Sequence, residues 1–395
     1  DRLGELAWEG ERVLVGRAEQ LARVLSGRVY DVVISLSIEE ALLKLALSLS
    51  ATATYATPHN YYLPPFGPFR RFEASPRHHE LLQKLDALLS PCEHHCAYMR
   101  RWSPVPLVTR PLYAADYHYF HTEAQSNAVM GDLPAAMAPW EPSHRFVTLV
   151  SPAPEKGLAV LVTLARRMPE VAFAAVVTQW SGRETIAVLE RLPNVTLLAA
   201  HPDVDVVFRQ TRVLLAPSLW QECCPLIVME ACLRGIPCVS SDVFGLPEAN
   251  CNPNLVVHAT LSFDHARGTL LHGVSNVQLE DRLGANPKLP SREERSSNII
   301  ASTRQSATDE EARPFEEQLR RLLMDEASLR AESAICRERF VAFARRREHG
   351  HGSCSVTNSR SGLRVTCQQN AARAAGLAGC ARTCRRGGLG EPWGK

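Results

Sequence analysis

Residues 212–248 read RVLLAPSLWQECCPLIVMEACLRGIPCVSSDVFGLPE and place two glutamates, Glu222 and Glu230, eight positions apart around the start of a helix. Val213 to Ala216 is a short apolar run closed by Pro217-Ser218, which predicts a buried parallel strand rather than an alternating, half-exposed one. Pro225 stands where a helix can begin, because the first helical residue needs no N–H partner and benefits from a preset φ. Gly235 supplies the left-handed residue that ends it, so the predicted helix spans Pro225 to Arg234.

Glu222 then lies in the loop before the helix and Glu230 projects from its second turn. Between them the backbone N–H groups of Cys223, Cys224, Leu226 and Ile227, in a run that includes Pro225, find no partner within the helix, and the helix dipole adds partial positive charge. An anion such as a diphosphate fits that end. A carboxylate accepts two directed hydrogen bonds from a vicinal diol, so one glutamate suits a sugar beside the phosphates and the other a ribose. The blander alternative is a surface helix with two solvated glutamates.

Pro217-Ser218, Trp220, Glu222, Cys224-Pro225-Leu226, Glu230-Ala231, Gly235-Ile236-Pro237, Ser241-Asp242 and Gly245-Leu246-Pro247-Glu248 resemble the donor-binding segment of family 4 glycosyltransferases. The resemblance implies an α/β protein of GT-B fold, with two Rossmann-like domains facing a cleft. It implies that Glu222 contacts the donor sugar, Glu230 the ribose, and the amides between them the phosphates. It also implies a retaining reaction, with the acceptor attacking from the face that the diphosphate leaves.

Upstream, Phe146 to Val150 reads as a strand, followed by SPAPEKG and a helical stretch from Leu158 to Arg167. Lys156, one of only five lysines in a chain that otherwise uses arginine, stands at the start of that helix, where a mobile ammonium can reach a phosphate. Its alternative is a solvated turn residue. The resembling family places its phosphate-binding lysine in this Lys-Gly turn and an arginine about five residues earlier, where this chain has Ser151. Further strands at Val171 to Thr178 and Val195 to Ala199, separated by helical stretches, give the alternation of a doubly wound parallel sheet, with the ligand at the strands' carboxyl ends.

The first 115 residues show a second, poorer alternation: a helix from Glu11 to Ser26, a strand from Asp31 to Ser35, a helix from Ile38 to Leu49 and a strand from Thr52 to Ala56. PHNYYLPPFGPF follows, which puts His59 at a sheet's carboxyl edge in a loop rich in proline and aromatics. The resembling family carries a histidine after the equivalent strand, so His59 is a candidate for holding the sugar as its bond to phosphate breaks. Otherwise it is a polar loop residue. A strand from Leu85 to Ser90 and a helix from Glu93 to Trp102 complete this half.

Cys92-Glu-His-His-Cys96 crowds four candidate metal ligands into one turn with no second pair in range, which favours a helix start over zinc. Helix-end amides and a lysine can neutralise a leaving diphosphate, so no metal and no cofactor is expected. With 45% hydrophobic content and a net charge of +2, the 395 residues suffice for two ordinary cores and carry no global bias toward nucleic acid. No apolar run approaches the roughly 18 residues of a membrane span, and no signal-peptide pattern opens the chain. Eight of the twelve cysteines are scattered through the two halves, as in a reduced cytoplasmic protein.

The organisation expected is an acceptor-side domain over 1–120, a linker over 121–144 and a nucleotide-sugar domain over 145–325 with a flexible insertion at about 284–310. A bracing helix over 326–348 and a disordered, basic, cysteine-containing tail over 349–395 follow. The chain opens without the first strand and Gly-rich loop usual in this fold, so the N-terminal domain is expected to be incomplete. The function expected is transfer of a sugar from a nucleotide diphosphate donor to a hydroxyl acceptor, which can be a sugar, a lipid reached by peripheral membrane contact, or a small molecule. The alternative is a catalytically silent GT-B-like nucleotide-binding or interaction protein, or a gene fragment. A hydrolase using both glutamates would need facing carboxyls about 5 to 9 Å apart, which a loop-and-helix placement does not suggest.

Overall fold

The computed structural model describes residues 4–8, 11–15, 17–71, 73, 75–105, 136–284, 287–348, 354–359 and 362–367. Residues 1–345 form one compact unit and 346–395 a second.

Within the first unit, the half after residue 135 is built on a six-stranded parallel sheet. Its elements are β6 (Phe146–Val150), α5 (Leu158–Arg167), β7 (Phe173–Val177), α6 (Arg183–Leu189), β8 (Val195–Ala199), α7 (Asp205–Phe208), β9 (Thr211–Ala216), α8 (Leu226–Leu233), β10 (Cys238–Ser241), α9 (Leu246–Ala249) and β11 (Val256–Val257). The strand order is β11-β10-β9-β6-β7-β8. β6 and β9 are therefore neighbours whose following helices leave in opposite directions along the sheet, which makes the crevice at their carboxyl ends the switch point. The strands are continuous apolar runs because helices cover both faces; Phe173, Ala174 and Ala175 of β7 have no exposed surface.

The half before it carries β1 (Gly4–Trp8), β2 (Glu11–Val15), α1 (Ala18–Leu25), β3 (Val29–Ser35), α2 (Glu40–Ser48), β4 (Ser50–Ala56), α3 (Pro76–Gln83), β5 (Ala87–Leu88) and α4 (Glu93–Trp102). β3, β4 and β5 form a parallel three-stranded sheet, while among the described residues β1 and β2 pair only with each other, antiparallel. The helix expected from Glu11 to Ser26 is thus a strand followed by a helix of eight residues. Val13 and Val15 bring the β-branched character of a strand. The remainder of the expected acceptor domain, from 106, and the linker up to 135 lie outside the described residues.

Beyond β11 come the hairpin of β12 (Ser262–Asp264) and β13 (Thr269–Leu271), then α10 (Asn276–Leu283), α11 (Arg292–Thr303), α12 (Asp309–Met324) and α13 (Glu326–Glu348). The flexible insertion expected at 284–310 instead holds α11, capped by Ser291, whose hydroxyl accepts from the Glu294 N–H at 3.1 Å. Ser302 of this helix is buried against the hairpin, accepting from the Leu270 N–H and donating to the Gly268 carbonyl. The polar composition hid a start signal: a serine followed three residues later by a glutamate. α12 and α13 bury Phe315, Leu319, Leu322 and Leu329. α13 fastens to the end of α8, with Arg337 donating to the Leu233 carbonyl and Ser333 to the Gly235 carbonyl.

The second unit contains an antiparallel pair, β14 (Cys354–Ser359) and β15 (Gly362–Cys367), within the segment expected to be wholly disordered. The rest of that tail lies outside the described residues.

Candidate active site

Two loops meet at the switch point, one after β6 and one after β9. The first leaves β6 through Ser151, whose φ of 58° turns the chain and whose hydroxyl pairs with that of Thr178 at 2.5 Å. It ends in a single 3-10 turn, Pro154–Lys156, and Gly157 at φ 82°. A Cβ on Gly157 would stand 2.1 Å from the Pro217 carbonyl oxygen, so only glycine lets the two loops touch. The Leu219 N–H donates to the Glu155 carbonyl at 2.9 Å and completes the seam.

This seam sets the side chains. Lys156 donates to Glu222, and Ser218 Oγ donates to the same carboxylate oxygen at 2.8 Å. Glu222 is only 7% exposed, so its carboxylate depends on these partners. The Lys156 ammonium also sits 4.7 Å from the centroid of the Trp220 ring. A cavity of about 180 Å³ is lined by Val150, Lys156, Ser218, Glu222 and the first turn of α8, including Pro225, Leu226 and Ile227.

The helix begins one residue later than expected, with Pro225 as the cap and Leu226 as the first helical residue, and it ends at Leu233 before Gly235 at φ 76°. The amides of its first turn still point at the cavity's end of the helix. Glu230 lies one turn deeper and outside the cavity lining. Burial raises its carboxyl to about 7, opposed by Arg234 and assisted by Asp205. Arg234, fully buried, is paired with Asp205 and donates to the Glu230 carbonyl at 3.1 Å. Cys223 is buried, and burial pushes its thiol well above the ordinary range, so the side chain is a packing element and only its backbone is available to a ligand.

The two halves meet beside this cavity. Tyr62 packs against Trp220 and His265, at centroid distances of 5.6 and 4.8 Å. Burial lowers the His265 imidazole to about 3, and neither of its nitrogens has a partner among the described residues; nor does the Trp220 indole N–H. His59, by contrast, is exposed, with Nε2 3.0 Å from the Thr57 hydroxyl, and it does not line the cavity. Cys92, Glu93, His94 and Cys96 belong to the start of α4, where Cys92 Sγ accepts from the His95 N–H and His95 Nδ1 lies 2.7 Å from the Ser90 hydroxyl. Among the described residues no group of three or more His, Cys, Asp or Glu side chains is placed to hold a metal ion.

Residues 145–265 match the family model described as Glycosyl transferases group 1. The chain carries a group 1 glycosyltransferase domain. The chain is similar in fold to sucrose-phosphate synthase from Thermosynechococcus elongatus, with 16% identity, a TM-score of 0.53, and coverage of 86% of this chain and 80% of that one. It is also similar to HepE of Anabaena, solved in complex with UDP-glucose, at 14% identity and a TM-score of 0.42 over 80% of each chain. A third similar structure is an α,α-trehalose-phosphate synthase (UDP-forming) from Burkholderia vietnamiensis, at 16% identity and a TM-score of 0.39 over 84% of this chain and 75% of that one. No curated protein matches the chain. The fold of the chain is GT-B, with the matched domain holding the switch-point crevice.

Lys156, Glu222 and the start of α8 line one cavity, while His59 and Glu230 are not brought to it. Sequence reasoning missed Ser218 as a partner of Glu222, although a serine four positions before a glutamate in one loop is a visible signal. It also missed Tyr62 and His265, which no spacing links to Trp220. Among the described residues no helix is long and apolar enough to cross a membrane.

Proposed function

We propose that this glycosyltransferase moves a sugar from a nucleotide diphosphate donor to a hydroxyl acceptor with retention of configuration, without a metal ion, in the cytoplasm. The observation that carries the proposal is the convergence of Lys156 and Glu222 on one crevice with the N-terminus of α8. The N–H groups of Cys223, Cys224, Leu226 and Ile227, in the run that includes Pro225, and Lys156 would hold the diphosphate, Glu222 and His59 the donor sugar, and Glu230 the ribose. Ligand pockets commonly begin near 300 Å³, so the cavity of about 180 Å³ suits one end of a nucleotide sugar rather than the whole.

In the reaction the acceptor oxygen bonds to the anomeric carbon on the face from which the diphosphate departs. The carbon–oxygen bond to phosphate breaks, and the acceptor's proton passes to the departing phosphate oxygen. Lys156 and the helix-end amides stabilise the charge that develops there. Calorimetric titration with a panel of nucleotide diphosphates and nucleotide sugars, coupled to a transfer assay, tests this reading. Micromolar binding of a nucleotide diphosphate with transfer unaffected by a chelator is expected; activity abolished by a chelator and restored by Mn²⁺ or Mg²⁺ would remove the metal-free step. A second reading, donor binding without transfer, draws on Ser151 standing where an arginine is expected, and binding without turnover would select it.

A further inference from the structure

We propose that Phe244 and Glu248 are positioning residues that dock the loop between β10 and α9 onto the N-terminal half and thereby fix Glu222 against it. The proposal rests on the reading of Glu222 as a residue that holds the donor sugar. Phe244 has a φ of 47°, a backbone conformation that a bulky side chain rarely adopts, so something outside its own loop must hold it there. Its ring is 6% exposed and inserted among side chains of the other half: Tyr61 at 4.9 Å, Phe69 at 5.3 Å and His94 at 4.9 Å between centroids.

Four residues on, the Glu248 carboxylate reaches the N-terminus of α4. It accepts from the Glu93 N–H at 3.0 Å and the His94 N–H at 2.7 Å, a charge-assisted cap supplied from across the cleft. The residue between these two anchors ties the loop to the site. The Gly245 N–H donates to the Glu222 carbonyl at 2.8 Å, and a Cβ at Gly245 would meet the Cys223 carbonyl oxygen at 1.9 Å, so the two backbones lie in direct contact. Movement of the β10–α9 loop is therefore transmitted to Glu222. One aromatic knob and one carboxylate set where that glutamate sits relative to the half that must present an acceptor.

Hydrogen exchange on the full chain tests the docking without turnover. Phe244→Gly removes the knob while suiting the positive φ, so the loop's own fold is not put at risk; Phe244→Leu and Glu248→Gln are the conservative partners. Exchange over residues 57–70 should rise about tenfold in Phe244→Gly, and exchange of the Glu93 and His94 amides about tenfold in Glu248→Ala, with α5 unchanged. Nucleotide diphosphate affinity should stay within about threefold while kcat for transfer falls about tenfold, and the conservative variants should recover most of it. Unchanged exchange at both N-terminal sites overturns the proposal, as does a kcat that falls only in step with nucleotide binding. Loss of protection in a protein that transfers no sugar would remove the transferase reading and retain the docking.

Discussion

Glu222 holds a carboxylate in a buried position because two donors from neighbouring loops meet it, Lys156 and Ser218. On the proposed function, removing the glutamate does two things at once: it takes an acceptor from the donor sugar and releases the Lys156 ammonium, which it otherwise pairs, for phosphate. Glu222→Ala should lower transfer by about 100-fold or more while leaving nucleotide diphosphate affinity unchanged or tighter. Glu230→Ala should chiefly weaken binding, by roughly 1 to 3 kcal/mol, the cost of losing hydrogen bonds to a charged acceptor. Equal and negligible effects on both constants would remove the division of labour. Glu230 carries a further signature. An unfolded chain releases this proton near the ordinary 4.5 and the folded one near 7, so between those values the folded state binds more protons. The stability due to Glu230 is then full below about 4.5 and is lost as the pH rises through 7. Melting curves should show the wild type losing ground to Glu230→Gln between pH 5 and pH 8. If the ribose diol donates to this carboxylate, binding at pH 6.5 should also release protons, detected by titration in buffers of different ionisation enthalpy and absent in Glu230→Gln.

At the scale of elements, the site depends on how closely the loops after β6 and β9 approach. Gly157 combines a φ of 82° with a Cβ position 2.1 Å from the Pro217 carbonyl oxygen, so a methyl group there strains its own backbone and displaces the neighbouring loop. Gly157→Ala should cost at least about 2 kcal/mol, seen as a lower urea midpoint with an unchanged slope, and should weaken nucleotide binding because Lys156 moves with the turn. A midpoint within error of the wild type would show that the seam is not tight. The elements around this seam were readable because each carries its own local signal: apolar runs for β6 and β9, Pro225 and Gly235 bounding α8. Glu11 to Val15 was misread because a short apolar run fits helix and strand alike until a partner strand is known. α11 was misread because its polar face dominates its composition, while the buried Ser302 and Thr303 and the partly buried Ile299 say little without the hairpin beside them.

For the whole molecule, the two halves differ in how well they cover themselves. β3 pairs only with β4 among the described residues, and it leaves Val29 84% and Ile34 48% exposed, with Leu36 just beyond it at 71%. Unpaired edge groups beside exposed apolar side chains form a template for pairing with another chain. Ile34→Lys should reduce concentration-dependent light scattering on warming while shifting unfolding stability by no more than about 0.5 kcal/mol and leaving nucleotide binding unchanged. Scattering equal to the wild type would place the aggregating surface elsewhere.

By itself the sequence determined a local arrangement: a strand, an acidic loop residue and a helix start in 37 consecutive residues place a helix N-terminus beside Glu222. That information is local, since caps, glycines and apolar runs act over a few residues. Only the tertiary structure decided that Lys156 pairs with Glu222, that Glu230 lies half-buried near Arg234 and Asp205 and outside the cavity, and that Phe244 and Glu248 reach across to the N-terminal half. Those facts depend on which loops a parallel sheet brings side by side, and strand order is set by packing over the whole domain rather than by any one segment.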